Sequence, residues 1–229
     1  MVLNRDSIKN GIVQKLLHEG SRKGLIDPWT PEQRLESRKA VLARRPSDDI
    51  WVFGYGSLIW NPAFHFERSE QAILYGYHRA FCLWTPLGRG SPENPGLILG
   101  LERGGSCHGM AFKLHKDQIE EELDVVWARE MPTGSYVPTW VKLRSGDKTL
   151  HAIAFVICRD QPRYACKIPI ETVARSIATA EGPLGTCSDY LFNTVDALDK
   201  MNVPDRYLHK VRNRVHALQR EQNGSSDGK

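Results

Sequence analysis

No apolar run in the 229 residues approaches the length of a membrane span, so no membrane association is expected. The opening stretch, Met1-Val-Leu-Asn-Arg-Asp6, lacks the apolar centre of a signal peptide, and a cytoplasmic location is the expectation. Cysteine is sparse. Cys82, Cys107, Cys158, Cys166 and Cys187 are odd in number and scattered, with no CxxC pair, which argues against a disulfide framework or a zinc site. The eight histidines contain no HxH or HxxxH pair, so no metal is expected. A net charge of +4 is mild, and the basic residues are not interleaved with aromatics, so a nucleic-acid partner is not expected either. Three glycine signatures are missing as well. No third glycine follows Gly54 and Gly56 at dinucleotide-binding spacing, and no Gly-Lys-Ser/Thr phosphate loop occurs. Ser57 has Tyr55 and Ile59 where a nucleophile elbow needs glycines, so hydrogen bonding suits Ser57 better than nucleophilic attack.

What is present begins at an apolar run, Ile50 to Phe53, that reads as a buried strand. It breaks at once into Gly54-Tyr55-Gly56-Ser57, and Asn61-Pro62 marks a turn. Glycines let a backbone approach a ligand closely, so the amides here can face an anion or a carbonyl oxygen; an ordinary tight turn fits the same residues. The chain length suits one domain, residues 1–229, with residues 1–49 as a helical arm packed on the core and 222–229 as a disordered tail.

In the arm, Ile8, Ile12, Val13, Leu16 and Leu17 predict one short amphipathic helix ended by Gly20 and Gly24. Thr30-Pro-Glu-Gln33 predicts a capped helix start running to about Ala43. Four strands are expected between residues 72 and 114, at 72–75, 79–84, 96–101 and 107–114, separated by glycine-rich turns; such close-set strands suggest a meander or barrel. A helix is expected over 115–130, a hairpin over 135–157, and helices at 170–180, 189–201 and 204–220, with a loop over 181–187.

Glu130 stands out in that scheme. The apolar face of its helix is Ile119, Leu123, Val126 and Trp127, and Glu130 falls on the same stripe, whereas Glu120, Glu121 and Glu122 lie mostly on other faces. Met131-Pro132 ends the helix at once, placing Glu130 at a mouth. A buried carboxylate is unfavourable unless paired or protonated, so Glu130 is read as an acid/base group or as half of a salt bridge with an arginine such as Arg79.

Phe53-Gly-Tyr-Gly-Ser-Leu-Ile-Trp-Asn-Pro62 resembles the signature loop of the ChaC-type γ-glutamylcyclotransferases, which cleave glutathione to 5-oxoproline and cysteinylglycine. Arg129-Glu130 and Gly134-Ser-Tyr136 are similar to the family segment with the catalytic glutamate, although Met131-Pro-Thr133 intervenes. Gly76 to Phe81 is similar to a family strand bearing an arginine near the site, and Glu181 to Leu191 to a loop whose tyrosine lines it. The resemblance covers about residues 50–200. It implies an α+β fold, a small mixed β-barrel surrounded by helices, with no cofactor. Glu130 would be the catalytic acid/base, and Tyr55, Gly56, Ser57, Leu58, Arg79, Tyr136 and Tyr190 the substrate-binding residues. On the residues alone, Arg79 also suits a structural ion pair and Tyr190 a helix anchor. Glutathione is the small-molecule partner implied; the same chemistry on other γ-glutamyl compounds, or a non-catalytic γ-glutamyl-binding regulator, are the alternatives.

Overall fold

The computed structural model describes residues 3–226, which form seven helices and seven strands. They fall into two compact units, one of residues 3–80 and 100–164, the other of residues 81–99 and 165–226.

In the first unit the helix starts follow capping chemistry. Asn4 opens α1 (Arg5–Lys9) by accepting from Ser7 N, and Thr30 opens α3 (Pro31–Leu42) by accepting from Gln33 N, whose side chain takes the Thr30 N–H in return. The single helix expected near the N-terminus is two: the chain breaks at Asn10-Gly11, and α2 (Ile12–Arg22) then runs through Gly20, since one glycine inside a helix weakens it without ending it.

Five strands, β1 (Trp51–Gly54), β2 (Arg68–Thr85), β3 (Gly96–Lys113), β4 (Tyr136–Ser145) and β5 (Lys148–Ile157), close a barrel in the order β1-β3-β2-β4-β5. Val52 faces Phe112 across an antiparallel pairing and Ile153 across a parallel one, so both edges of β1 are used. All four β1 residues are buried, which accounts for an apolar run without alternation. The four strands expected over 72–114 are two, each of 18 residues. Gly76 and the pair Gly104-Gly105 take positive φ inside continuous strands, so they bend the ladder where a reversal was expected.

Helix α4 (Ile119–Glu130) starts four residues later than expected and packs through Leu123, Val126 and Trp127, the Trp127 ring standing 5.4 Å edge-on from Phe155 of β5. Each such fully buried side chain stabilises the fold by roughly 2 kcal/mol. Glu122, expected off the apolar stripe, is fully buried, because α1 covers it: Arg5 donates from Nε (3.2 Å) and Nη2 (2.6 Å), and His65 N–H from 2.9 Å. The other flank of α4 meets α3, where Arg38 donates to Glu120 O (3.0 Å) and to the Asp124 carboxylate, and Trp127 Nε1 reaches Ser37 Oγ at 3.3 Å. Trp140 of β4 donates to Val41 O at 2.8 Å. The arm therefore packs on α4 and β4.

In the second unit α5 (Ile170–Thr179), α6 (Cys187–Lys200) and α7 (Arg206–Ser226) bury Val173, Ile177, Leu191, Leu198, Leu208 and Val215 together. Arg214 holds Glu171 with two hydrogen bonds of 2.7 and 2.9 Å. The loop expected over 181–187 contains a two-residue ladder, β6 (Glu181–Gly182) with β7 (Gly185–Thr186). Since α7 reaches Ser226, residues 222–226 of the expected disordered tail are helical, and 227–229 lie outside the described residues. No helix among the described residues is long and apolar enough to cross a membrane.

Candidate active site

The loop after β1 doubles back so tightly that side chains are excluded from two points. A Cβ on Gly54 would stand 2.9 Å from Leu58 Cβ, and one on Gly109 of β3 would stand 2.3 Å from Gly54 O. Tyr55 turns inward and its hydroxyl donates to Phe155 O at 2.7 Å, fixing the loop to the strand whose ring meets Trp127. Gly56 passes the chain into one turn of 3-10 helix, Ser57–Ile59, in which Leu58 is buried. Ile59 N–H closes onto Gly56 O (3.0 Å) and Asn61 N–H onto Ser57 O (2.8 Å). No side chain caps this turn, and the first amides of a helical turn, those of Ser57 and Leu58, have no acceptor within it.

Glu130 is the last residue of α4, as expected, with 17% of its side chain exposed. Its partner is Arg129, where the sequence had suggested Arg79. Arg129 Nε stands 2.9 Å from Glu130 Oε1, Nη2 donates to Ser57 Oγ (2.9 Å), and Nη1 to Asn61 O (2.5 Å) and Pro62 O (3.3 Å). One guanidinium, itself 5% exposed, thus ties the carboxylate to both ends of the glycine loop. Burial pushes the Glu130 carboxyl above its ordinary pKa, and the charge and hydrogen bond of Arg129 pull against that rise. Sequence reasoning missed Arg129 because neighbours on a helix project about 100° apart, so adjacency did not nominate the pair. The usable signal was the requirement itself: a buried carboxylate needs a cation.

The spacer after Glu130 is held on several sides. Met131 is fully buried, and its N–H closes the last turn of α4 onto Trp127 O at 3.0 Å. Pro132 O accepts from Trp29 N–H at 2.9 Å. Thr133 and Ser135 hydroxyls lie 2.9 Å apart and both accept from Arg163 Nη2, at 2.6 and 2.7 Å. Tyr136 follows as the first residue of β4, 8% exposed and paired with Ile157. Burial lowers the Arg163 pKa while the nearby Tyr136 raises it.

Arg79 is 4% exposed; its Nη2 donates to His108 O and lies 3.3 Å from Cys107 Sγ. It is therefore anchored to β3 next to Gly109, the residue that seats Gly54. Tyr190 belongs to the second unit, where its hydroxyl is 3.4 Å from Leu99 N, its ring meets Phe81 edge-on at 6.3 Å, and the Arg89 guanidinium stands 5.8 Å over it. The structure thus joins Glu130 to the Tyr55–Leu58 loop through Arg129, with Tyr136 opening the next strand. Among the described residues, no group of three His, Cys, Asp or Glu side chains is placed to hold a metal ion.

The chain as a whole is similar to known proteins. A family model described as ChaC-like protein matches residues 50–218. A glutathione-specific γ-glutamylcyclotransferase of Escherichia coli (strain K12) is 43% identical over 185 residues, covering 80% of each chain. Glutathione-specific γ-glutamylcyclotransferase 1 of Mus musculus is 32% identical, covering 74% of this chain and 79% of its own. A crystal structure of a yeast γ-glutamyl cyclotransferase specific to glutathione superposes with a TM-score of 0.69 at 21% identity, over 75% of this chain and 97% of that one.

Proposed function

The chain belongs to the ChaC-like family, and on that premise we propose that it is a glutathione-specific γ-glutamylcyclotransferase. The observation that carries the reading is the Arg129 guanidinium, which holds the Glu130 carboxylate and Ser57 of the glycine loop at 2.9 Å each. An acid/base group and a backbone whose amides can donate to an oxyanion are thereby brought together.

Glutathione carries its own nucleophile. Its free α-amine attacks the γ-carbonyl carbon and closes a five-membered lactam, so the substrate supplies most of the proximity once it is folded back. Glu130 takes a proton from the attacking nitrogen, and the carbonyl oxygen becomes an oxyanion. The Ser57 and Leu58 amides receive that charge without reorganising. As the γ-amide C–N bond breaks, Glu130 returns the proton to the departing nitrogen, releasing cysteinylglycine and leaving 5-oxoproline. A carboxyl raised above its usual pKa is suited to both transfers. Ser57 Oγ already accepts from Arg129, so its own O–H is left to donate to the γ-glutamyl group. In this reading Tyr55 fixes the loop, and Arg79 and Tyr136 supply further contacts to the substrate.

The family match runs across residues 50–218, which supports taking them as one catalytic domain with residues 1–49 as its arm. Glutathione as the small-molecule partner and a cytoplasmic location accompany the reading. The test is to incubate wild type and Glu130→Gln with reduced glutathione and to follow 5-oxoproline and cysteinylglycine. Both products from wild type, and a loss of at least about a hundredfold in a folded Glu130→Gln, are expected. Equal activity in the two proteins would move the base elsewhere. An inert wild type that turns over another γ-glutamyl compound would replace the substrate.

A further inference from the structure

The arm lies outside residues 50–218, yet one of its residues closes on the segment that follows Glu130. Trp29 donates its backbone N–H to Pro132 O at 2.9 Å. Its indole crowds Gly134, so that a Cβ there would stand 2.6 Å from Trp29 Nε1, 2.7 Å from Cε2 and 2.8 Å from Cζ2. Gly134 also has φ of +64°, in the region that favours glycine. The spacer can therefore pass under the ring only because that residue has no side chain, and the ring in turn blocks the spacer from lifting.

Trp29 is itself held from behind. Its carbonyl accepts from Arg34 Nη1 at 2.7 Å, and Thr30, the next residue, is the N-cap of α3. Further along α3, Arg38 grips α4 at Glu120 and Asp124. The connections form a closed circuit: α4, Glu130, the spacer, Trp29, α3, Arg38 and back to α4. A helix held at its middle and just past its end cannot swing its last residue, and that residue is Glu130. Arg163 holds the same spacer at Thr133 and Ser135, so the indole and the guanidinium fix three consecutive residues.

We infer that Trp29 is a positioning residue for catalysis: by bracing Pro132 and Gly134 from the N-terminal arm it fixes the orientation of the Glu130 carboxylate. The inference rests on Glu130 being the acid/base group of the proposed cyclotransferase. It assigns the arm a part in turnover, with the glycine loop left to bind substrate. Because the loop makes its own contacts, loss of the ring acts on the chemical step more than on binding.

The experiment compares full-length wild type, Trp29→Ala and Trp29→Phe. It measures kcat and KM for glutathione, and hydrogen exchange of a peptide covering residues 131–136. Trp29→Ala is expected to lower kcat by about tenfold or more with KM within about twofold, as a small misplacement of a reacting group does. Faster exchange should be confined to residues 131–136, and Trp29→Phe should recover most of the loss by restoring a ring over Gly134. A kcat within twofold of wild type overturns the inference. So does a loss shared equally by the Phe variant, or a rise in exchange throughout the molecule, either of which marks a purely structural role. Should wild type fail to turn over glutathione, the proposed function falls by itself. Exchange then decides the brace: a local increase in Trp29→Ala upholds it and no increase overturns it.

Discussion

In the proposed reaction the mostly buried Glu130 carboxylate loses and regains a proton, and two opposed influences act on it. Burial raises its pKa, and Arg129 holds the rise in check. The acid limb of the kcat profile for cyclotransfer should therefore lie above the ordinary carboxylate range, near 4.3, in a stopped assay between pH 4 and 9. Arg129→Gln removes the restraining charge, so the limb should move to still higher pH. It also frees Ser57, Asn61 and Pro62, so KM should rise as well. Stability carries the same sign. A raised folded-state pKa gives stability that is complete below the unfolded pKa and is lost as pH climbs through the folded value. Glu130→Gln, uncharged at every pH, should thus gain on wild type in urea melts as pH rises from 4 to 8. Glu130 itself was legible in the sequence, because helical spacing alone sets it on a buried stripe. Arg129 and Trp29 were not. One is a helix neighbour whose long stem reaches sideways, and the other lies more than a hundred positions before Pro132 and Gly134, the residues it contacts.

At the scale of elements, β1 and β3 approach each other closely where Gly109 meets Gly54. Gly109→Ala would drive a methyl against the Gly54 carbonyl and the Phe53 ring. A loss of roughly 3 kcal/mol in chemical denaturation is expected, together with weaker glutathione binding, since Gly54 leads into the loop. The seam between α1 and α4 depends on the buried Glu122. Arg5→Ala should destabilise by about 2–3 kcal/mol, less than a wholly abandoned ion because His65 N–H still serves the carboxylate. Adding Glu122→Gln should recover part of that loss in a double-mutant cycle. These strands and helices were legible to different degrees. Thr30 and Gln33 announce the α3 start chemically, and the 135–157 hairpin has long β-rich arms around a Ser-Gly-Asp turn. The unbroken length of β2 and β3 was hidden, because a glycine that bends a strand and one that reverses it look alike until the partner strand is known. The burial of Glu122 was hidden too, since α1 closes over it from more than a hundred residues away.

For the molecule as a whole, the segment that the family model matches, residues 50–218, begins after the three arm helices. A chain started at residue 50 would expose Trp127, Trp140 and Glu122, each of which now finds a partner in the arm. Its midpoint in a thermal melt should fall by more than about 10 °C, with turnover of glutathione falling further than the lost stability accounts for. The Glu130–Arg129–Ser57 contacts lie within the first unit. The Tyr55 hydroxyl has its own consequence. Its acceptor, Phe155 O, comes 100 residues later in the chain, and the parallel partner of Val52 is Ile153. During synthesis the glycine loop is made early and stays unanchored until the ribosome has delivered the last strand of the barrel. Contacts of such long range form slowly. A nascent chain should therefore be unable to consume the cell's thiol peptide until most of its length has left the exit tunnel.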